Sequence, residues 1–185
     1  AATRAIYAGG AGSIGAITTA MKMDTKVLDA AKQTAILASP KIRPVRVEGK
    51  QYYVAILHPY DVTNLKQDPV YAQAVREARE RGKDNPIFSG AISEYNGIVL
   101  HEHEYVYRTN DGSGAAYVAR NVLCGQQAGV FGWGAAVKWV EKSFDYGNSW
   151  GISCGAIFGV IKPIFNSVDY GVITMHCASA AASTA

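Results

Sequence analysis

The densest run of ligating and titratable side chains is His101-Glu102-His103-Glu104. On an extended strand, alternate side chains point the same way, so His101 and His103 would share one face and Glu102 and Glu104 the other. Two imidazoles on one face are half of a metal site. Zinc or iron needs a third or fourth ligand. His58 and His176 are the remaining histidines, and no spacing ties either to the pair. A half-exposed strand whose polar residues face solvent or a neighbour explains the run more simply. A metal-dependent enzyme or metal-binding module on His101 and His103 is the alternative, and no metal ligand is assigned.

Other catalytic patterns are weaker. Gly10-Ala11-Gly12-Ser13-Ile14-Gly15 matches the spacing of a dinucleotide-binding loop. Such a loop needs a buried strand before it and a helix directly after it. Only nine residues precede this one, and the next helical pattern begins about eight residues on. It reads as a loop, and no cofactor is expected. There is no Gly-x-Ser-x-Gly elbow for a serine nucleophile, and Gly112-Ser113-Gly114 reads as a plain turn. Cys124, Cys154 and Cys177 are odd in number and widely spaced. That argues against a disulfide framework and for buried thiols in a reducing compartment. No Cys-x-x-Cys pair suggests zinc. No catalytic residue is nominated, and the expectation is a protein that is not an enzyme.

Aromatic residues concentrate instead. Phe131, Trp133, Trp139, Phe144, Tyr146 and Trp150 fall in one window, interleaved with Lys138, Glu141, Lys142 and Asp145. A ligand-stacking platform and a hydrophobic core are both conceivable. The interleaved charges favour a subunit interface built from Trp133, Trp139, Phe144, Tyr146 and Trp150.

The elements that would carry these residues mix helix and strand without regular alternation, which points to an α+β fold. Residues 1–20, rich in Ala, Gly and Thr, read as a loop or arm without packing of its own. Asp24 caps a helix with Val27, Leu28, Ala31 and Ala35 on one stripe, ended by Pro40. Val45 and Val47 alternate with Arg46 and Glu48. Gly49 then turns the chain into the apolar run Tyr53 to Leu57, predicting a strand pair. A short helix follows at 60–67. Asp68-Pro69 starts another, with Val70, Ala74, Val75 and Ala78 as its stripe and Gly82 as its stop. Residues 81–97 read as a loop-rich segment with a short central element, 98–107 as one long strand, and 109–114 as a turn. The stretch from 115 opens as helix, with Val118, Val122 and Gln126 on a face. Two late strands lie at 150–165 and 169–178, joined near Asn166. The predicted organisation is an arm-like segment at 1–23, a domain at 24–177, and a low-complexity tail at 178–185.

The bulk composition bounds the partners. The 185 residues are 49% hydrophobic and 18% charged, against about 25% charged in average soluble domains. A charge-lean surface suits a protein covered by neighbours. The net charge of +3 is weak for nucleic-acid recognition. Arg76, Arg79, Arg81 and Lys83 alternate with Glu77, Glu80 and Asp84, as on a solvated helix. No run of about 18 apolar residues predicts a membrane span.

Four strings carry a resemblance: RPVRVEGKQYYVAILHPYDVTNL at 43–65, RGKDNPIFSGAISEYNGIVLHEHE at 81–104, VARNVLCGQQAGVFGWG at 118–134 and KWVEKSFDYGNSWGISCGAIFGVIKPIFN at 138–166. In this order they resemble the phage N-four-type family of major capsid proteins, over roughly residues 40–177. The resemblance implies the Hong Kong 97-type capsid fold, of which this chain would supply the axial domain and part of the peripheral domain, with an amino-terminal portion missing. It implies a structural protein that assembles with itself as hexamers and pentamers into the icosahedral head of a tailed double-stranded DNA phage. Portal, scaffolding or decoration proteins would be further partners. Packaged DNA would be touched non-specifically, and no membrane is involved. The location would be the virion, after assembly in the host bacterial cytoplasm.

Overall fold

The computed structural model describes residues 4–47, 49–79 and 94–181. The chain divides into two compact units, residues 1–128 with 164–185 and residues 129–163.

The larger unit begins with β1 (Ala5–Tyr7), two short 3-10 turns and α1 (Thr25–Leu37). Asp24 caps α1 by accepting from Val27 N at 3.0 Å. Val27, Leu28, Ala31 and Ala35 are all buried, which is the predicted stripe. The two alanines keep that face low, so the helix can lie close to a sheet. β2 (Val45–Val47) and β3 (Lys50–Leu57) form a hairpin through Gly49. Gly49 has φ +81°, a left-handed conformation that glycine adopts without a Cβ clash. α2 (Pro59–Gln67) and α3 (Pro69–Arg79) follow. Asp68 accepts from Val70 N at 3.1 Å, capping α3 as expected, and also from Thr25 N and Oγ1 at 2.8 and 2.7 Å, tying α3 to the start of α1.

Then come β4 (Glu94–Tyr95), β5 (Ile98–Glu102), β6 (Arg108–Thr109) and β7 (Val118–Cys124). The smaller unit holds β8 (Val130–Phe144) and β9 (Ser149–Ile161). The chain returns through a small hairpin, β10 (Ile164–Phe165) and β11 (Val168–Asp169), to β12 (Val172–Ala178). The hairpin turns at Asn166 and Ser167, both with positive φ, where the sequence placed the joint.

The main sheet has eight strands in the order β1-β12-β7-β3-β5-β4, with β2 added on β3 and β6 on β7. β1 runs parallel to β12 and β3 parallel to β5; the other pairs are antiparallel. One face carries Tyr53, Ala55, Leu57, Ile98, Leu100, Leu123, Ile173, Met175 and Cys177 into a core shared with α1, Val62 and Leu65 of α2, and Tyr71 of α3. A buried leucine in such a core costs about 2–5 kcal/mol to truncate.

Several expectations are corrected. Residues 5–7 are a strand in the main sheet, and Ala8, Ile17 and Met23 are buried, so the first segment packs. On α3 the inward residues are Tyr71 and Val75, whereas Val70 and Ala74 are exposed. Ala78's side chain, Gly82 and most of the 81–97 loop lie outside the described residues. The strand from Ile98 stops at Glu102 and turns at 104–105 instead of running to 107. Residues 118–124 are strand β7, not helix. Val118 and Val122 lie four apart, a spacing that period 2 satisfies as well as period 3.6, and pairing with β3 and β12 decides it. Ala178 ends β12 and Ser179 is buried, so the tail starts packed.

Candidate functional site

The smaller unit is a two-stranded antiparallel ribbon, β8 with β9, whose register runs from Val130↔Ile161 to Phe144↔Ser149 with irregularities between Trp133 and Lys138. Every residue of β8 is exposed, and so is every residue of β9 except Gly151. Two-stranded ribbons are marginally stable in water. Exposed contiguous apolar surface of this kind marks an interaction site.

The ribbon does not gather the five candidate interface residues into one patch. Trp133 packs edge-on against Phe131 at 5.2 Å and against Phe158 at 5.9 Å, and Phe131 stacks on Phe158 at 5.6 Å. Further along, Trp139↔Cys154, Glu141↔Ile152 and Ser143↔Trp150 are cross-strand pairs. Trp139 and Trp150 therefore share a face with Ile152. Trp139 Nε1 donates to Glu141 Oε1 at 2.6 Å, and the side chain stays exposed. Phe144 is on the opposite face with Lys138, Val140 and Lys142, and the Lys142 ammonium sits 5.3 Å from its ring centre. Tyr146 is at the turn, fully exposed, between Asp145 and Gly147, all three with positive φ. Trp133, Trp139, Phe144 and Trp150 are 51–71% exposed. Ile152, on the face of Trp139 and Trp150, and Phe158, packed with Phe131 and Trp133, were not nominated. The alternation of Trp150, Ile152 and Cys154 with Gly151, Ser153 and Gly155 could have found Ile152.

The histidine run is built differently from expectation. His101 is exposed on β5, but His103 has left the strand: its N donates to Leu57 O at 2.9 Å and its Nδ1 accepts from Tyr105 N at 3.2 Å. The two do not share a strand face. His58 caps α2, its ring accepting from Tyr60 N. His176 stacks on Tyr7 at 5.0 Å. Burial first, then Arg108 for His58 and Arg120 for His176, lowers both imidazoles below their ordinary range, with Glu102 opposing at His58. Among the described residues no group of three His, Cys, Asp or Glu side chains could hold a metal ion.

Gly10, Gly12 and Gly15 follow edge strand β1 and lead into a 3-10 turn at Ile14–Ala16, and α1 begins only at Thr25. No helix amino terminus follows the loop directly, so a dinucleotide cradle is not formed. Cys177 is buried and Cys124 half-buried, but Cys154 is exposed on the ribbon, unlike the expected buried thiols; all three are free.

A buried polar cluster escaped the sequence. Asp61 and Asn121 are fully buried, with Asn64 and Ser179 close to it. Asn121 Nδ2 donates to Asp61 Oδ2, and Asn121 Oδ1 accepts from His58 N at 2.9 Å. Ser179 and Asn64 favour the carboxylate electrostatically without making well-formed bonds: Asp61 Oδ1, Ser179 Oγ and both polar atoms of Asn64 have no hydrogen-bond partner among the described residues. Burial dominates, and the Asp61 carboxyl is pushed up to about 6.

The described residues form a mixed α+β body and an exposed apolar ribbon. Solved structures with this fold are phage capsids. The chain superimposes on the capsid of Ralstonia phage GP4 with a TM-score of 0.74 and 28% identity, covering 98% of this chain and 54% of that one. It superimposes on the capsid of cyanophage Pam1 with a TM-score of 0.80 and 24% identity, covering 95% and 54%. The fold is that of the Hong Kong 97-like phage capsids. A curated relative, the major capsid protein of Pseudomonas phage KPP25, is 37% identical over 154 residues, 75% of this chain and 41% of the relative. The sequence model of the phage capsid protein family matches residues 1–181, and this chain belongs to that family. It spans about half the length of the solved capsid chains, and less of the curated relative.

Proposed function

We propose that the chain is the shell-forming part of a major capsid subunit, supplying the axial domain and part of the peripheral domain of the head of a tailed double-stranded DNA phage. Copies assemble as hexamers and pentamers in the host bacterial cytoplasm and remain in the virion. Portal, scaffolding or decoration proteins join the shell, and packaged DNA is touched without sequence preference. The role is architectural, with no turnover.

The observation that carries this reading is the ribbon. Trp133, Trp139, Phe144, Tyr146 and Trp150 contribute to subunit contacts on both faces and at the turn of the ribbon, and their exposure in the single chain supports this. Aromatic anchors at interface centres typically cost 2 kcal/mol or more to truncate, whereas exposed positions cost folding within about 0.5 kcal/mol. Trp139→Ala and Phe144→Ala in the full-length subunit should therefore lower shell yield tenfold or more while the melting temperature stays put. Normal shells from both variants, seen by electron microscopy, would remove the aromatic interface.

A further inference from the structure

A cleft of about 400 Å³ opens in the larger unit, lined among others by Lys32, Lys41, Ile42, Arg43, Tyr53 and Gly97. Three cations face it and none of its lining residues is acidic. Lys32 is occupied, donating to Asn96 O and Oδ1. Lys41 and Arg43 are exposed and have no carboxylate within ion-pair distance among the described residues. Ile42 and Tyr53 give the cleft an apolar floor, fixed by the Tyr53 hydroxyl donating to Ile42 O at 3.0 Å.

The cleft sits at the amino-terminal ends of β3 and β5, where Tyr53 pairs with Ile98 next to Gly97. At the other ends of these two parallel strands, Leu57 pairs with Glu102. There Glu102, Glu104 and Tyr105 are exposed, Tyr105 at 83%. Neither glutamate has an ion-pair partner among the described residues. The five residue steps from Gly97 to Glu102 set the two surfaces about 16 Å apart along the strands. Among the described residues, a chain lean in charge thus places cations without ion pairs at one end of its sheet and carboxylates without ion pairs at the other.

Rings of identical subunits need head-to-tail contacts between two different, complementary surfaces of one chain. We propose that the Lys41–Arg43 cleft of one copy receives the Glu102–Glu104–Tyr105 segment of the next. The carboxylates meet the two cations, and the Tyr105 ring covers the Ile42–Tyr53 floor. This rests on the shell-forming reading and names a contact within it. A polynucleotide is the weaker occupant. A backbone-tracking site is an extended basic stripe, whereas this cleft is local and apolar-floored.

The test is charge exchange in the full-length subunit. One variant carries Lys41→Glu and Arg43→Glu, the other Glu102→Lys and Glu104→Lys. All four side chains are exposed, and a thermal melt of each variant verifies folding. In each variant alone, like charges face each other at every head-to-tail contact. In an equal mixture, both kinds of contact pair opposite charges again. Sedimentation velocity at 50 mM salt should show each variant self-associating at least a hundredfold more weakly than the parent, and the mixture recovering to within tenfold. Raising salt to 500 mM should weaken parent and mixture alike. Variants that associate as the parent does would overturn the contact and leave the capsid reading standing. A parent that never associates would overturn both. If the mixture fails to recover while only the cleft variant loses retention of a double-stranded oligonucleotide, the cleft belongs to nucleic acid and the contact is refuted.

Discussion

Asp61 sits on α2 with no exposed surface, facing Asn121 of β7, Ser179 beyond β12 and Asn64 of its own helix, with Arg108 and the Cys177 thiol close enough to act electrostatically. Burial holds its proton on, moving the carboxyl from 3.8 to about 6 against the opposing pull of Asn121, Ser179, Arg108 and Asn64. Each tenfold change in proton affinity is worth about 1.4 kcal/mol, so the ionised form costs the fold roughly 3 kcal/mol. Because the folded value lies above the unfolded one, the folded state binds the proton more tightly. That stabilisation is complete below about pH 4 and is lost as pH rises through about 6. At neutral pH the chain carries a buried charge without a full ion pair.

Asp61→Asn should relieve this. The amide oxygen can still accept from Asn121, and the new NH₂ can donate towards Ser179 Oγ or Asn64 Oδ1, both without partners now. The expected gain at pH 7 is about 1–3 kcal/mol, below the full figure because the new bonds will not be ideal. At pH 4 the gain should vanish. Urea unfolding of both proteins from pH 4 to 7 measures it. The difference between them matters, because His58 and His176 are depressed in the fold and push stability the opposite way over the same range. A variant less stable than the parent at pH 7 would refute the reasoning, since it would mean that Arg108 and the polar neighbours fully compensate the charge.

Two further substitutions test how the body is held. Asp68→Ala removes the α3 cap and the tie to Thr25 and should cost about 1–2 kcal/mol. Burial works to raise this carboxyl, but the bonds from Thr25 and Val70 win and lower it, so the contribution should persist at neutral pH and fade only below about pH 4 in an acid titration of stability. Gly125→Ala would place a Cβ 2.4 Å from Ile42 Cγ2 and 2.7 Å from Arg43 O; it should cost about 1–3 kcal/mol, read as a lower urea midpoint.

The legible parts of the fold are those whose signals are local. Asp24 and Asp68 announce helix starts by capping chemistry, Gly49 announces a hairpin by its left-handed turn, and the α1 stripe has one clear buried face. Strand β7 was not legible because Val118 and Val122 satisfy two periods at once, and only its neighbours in the sheet choose. The Asp61–Asn121 pair is joined across 60 residues, so no spacing announces it. His101 and His103 misled because alternation was extended past Glu102, where the chain gives up the strand to bond Leu57.

The residue pattern on the ribbon is of a different kind. Alternation of apolar and polar residues records a strand with one face buried and one wet. β8 has neither face buried, and apolar side chains occupy both, with Trp139 on one and Val140 and Phe144 on the other. A strand selected to be covered within its own chain would show period 2. A strand covered on both faces by other copies has no reason to. On the proposed reading, the missing period in β8 is itself a mark of assembly, although β9 keeps an alternation at 150–155. With Trp139 on one face and Phe144 on the other, the two should answer to different neighbours. Their truncations should then add when combined, as independent sites do, whereas a single shared contact would make the second substitution nearly silent.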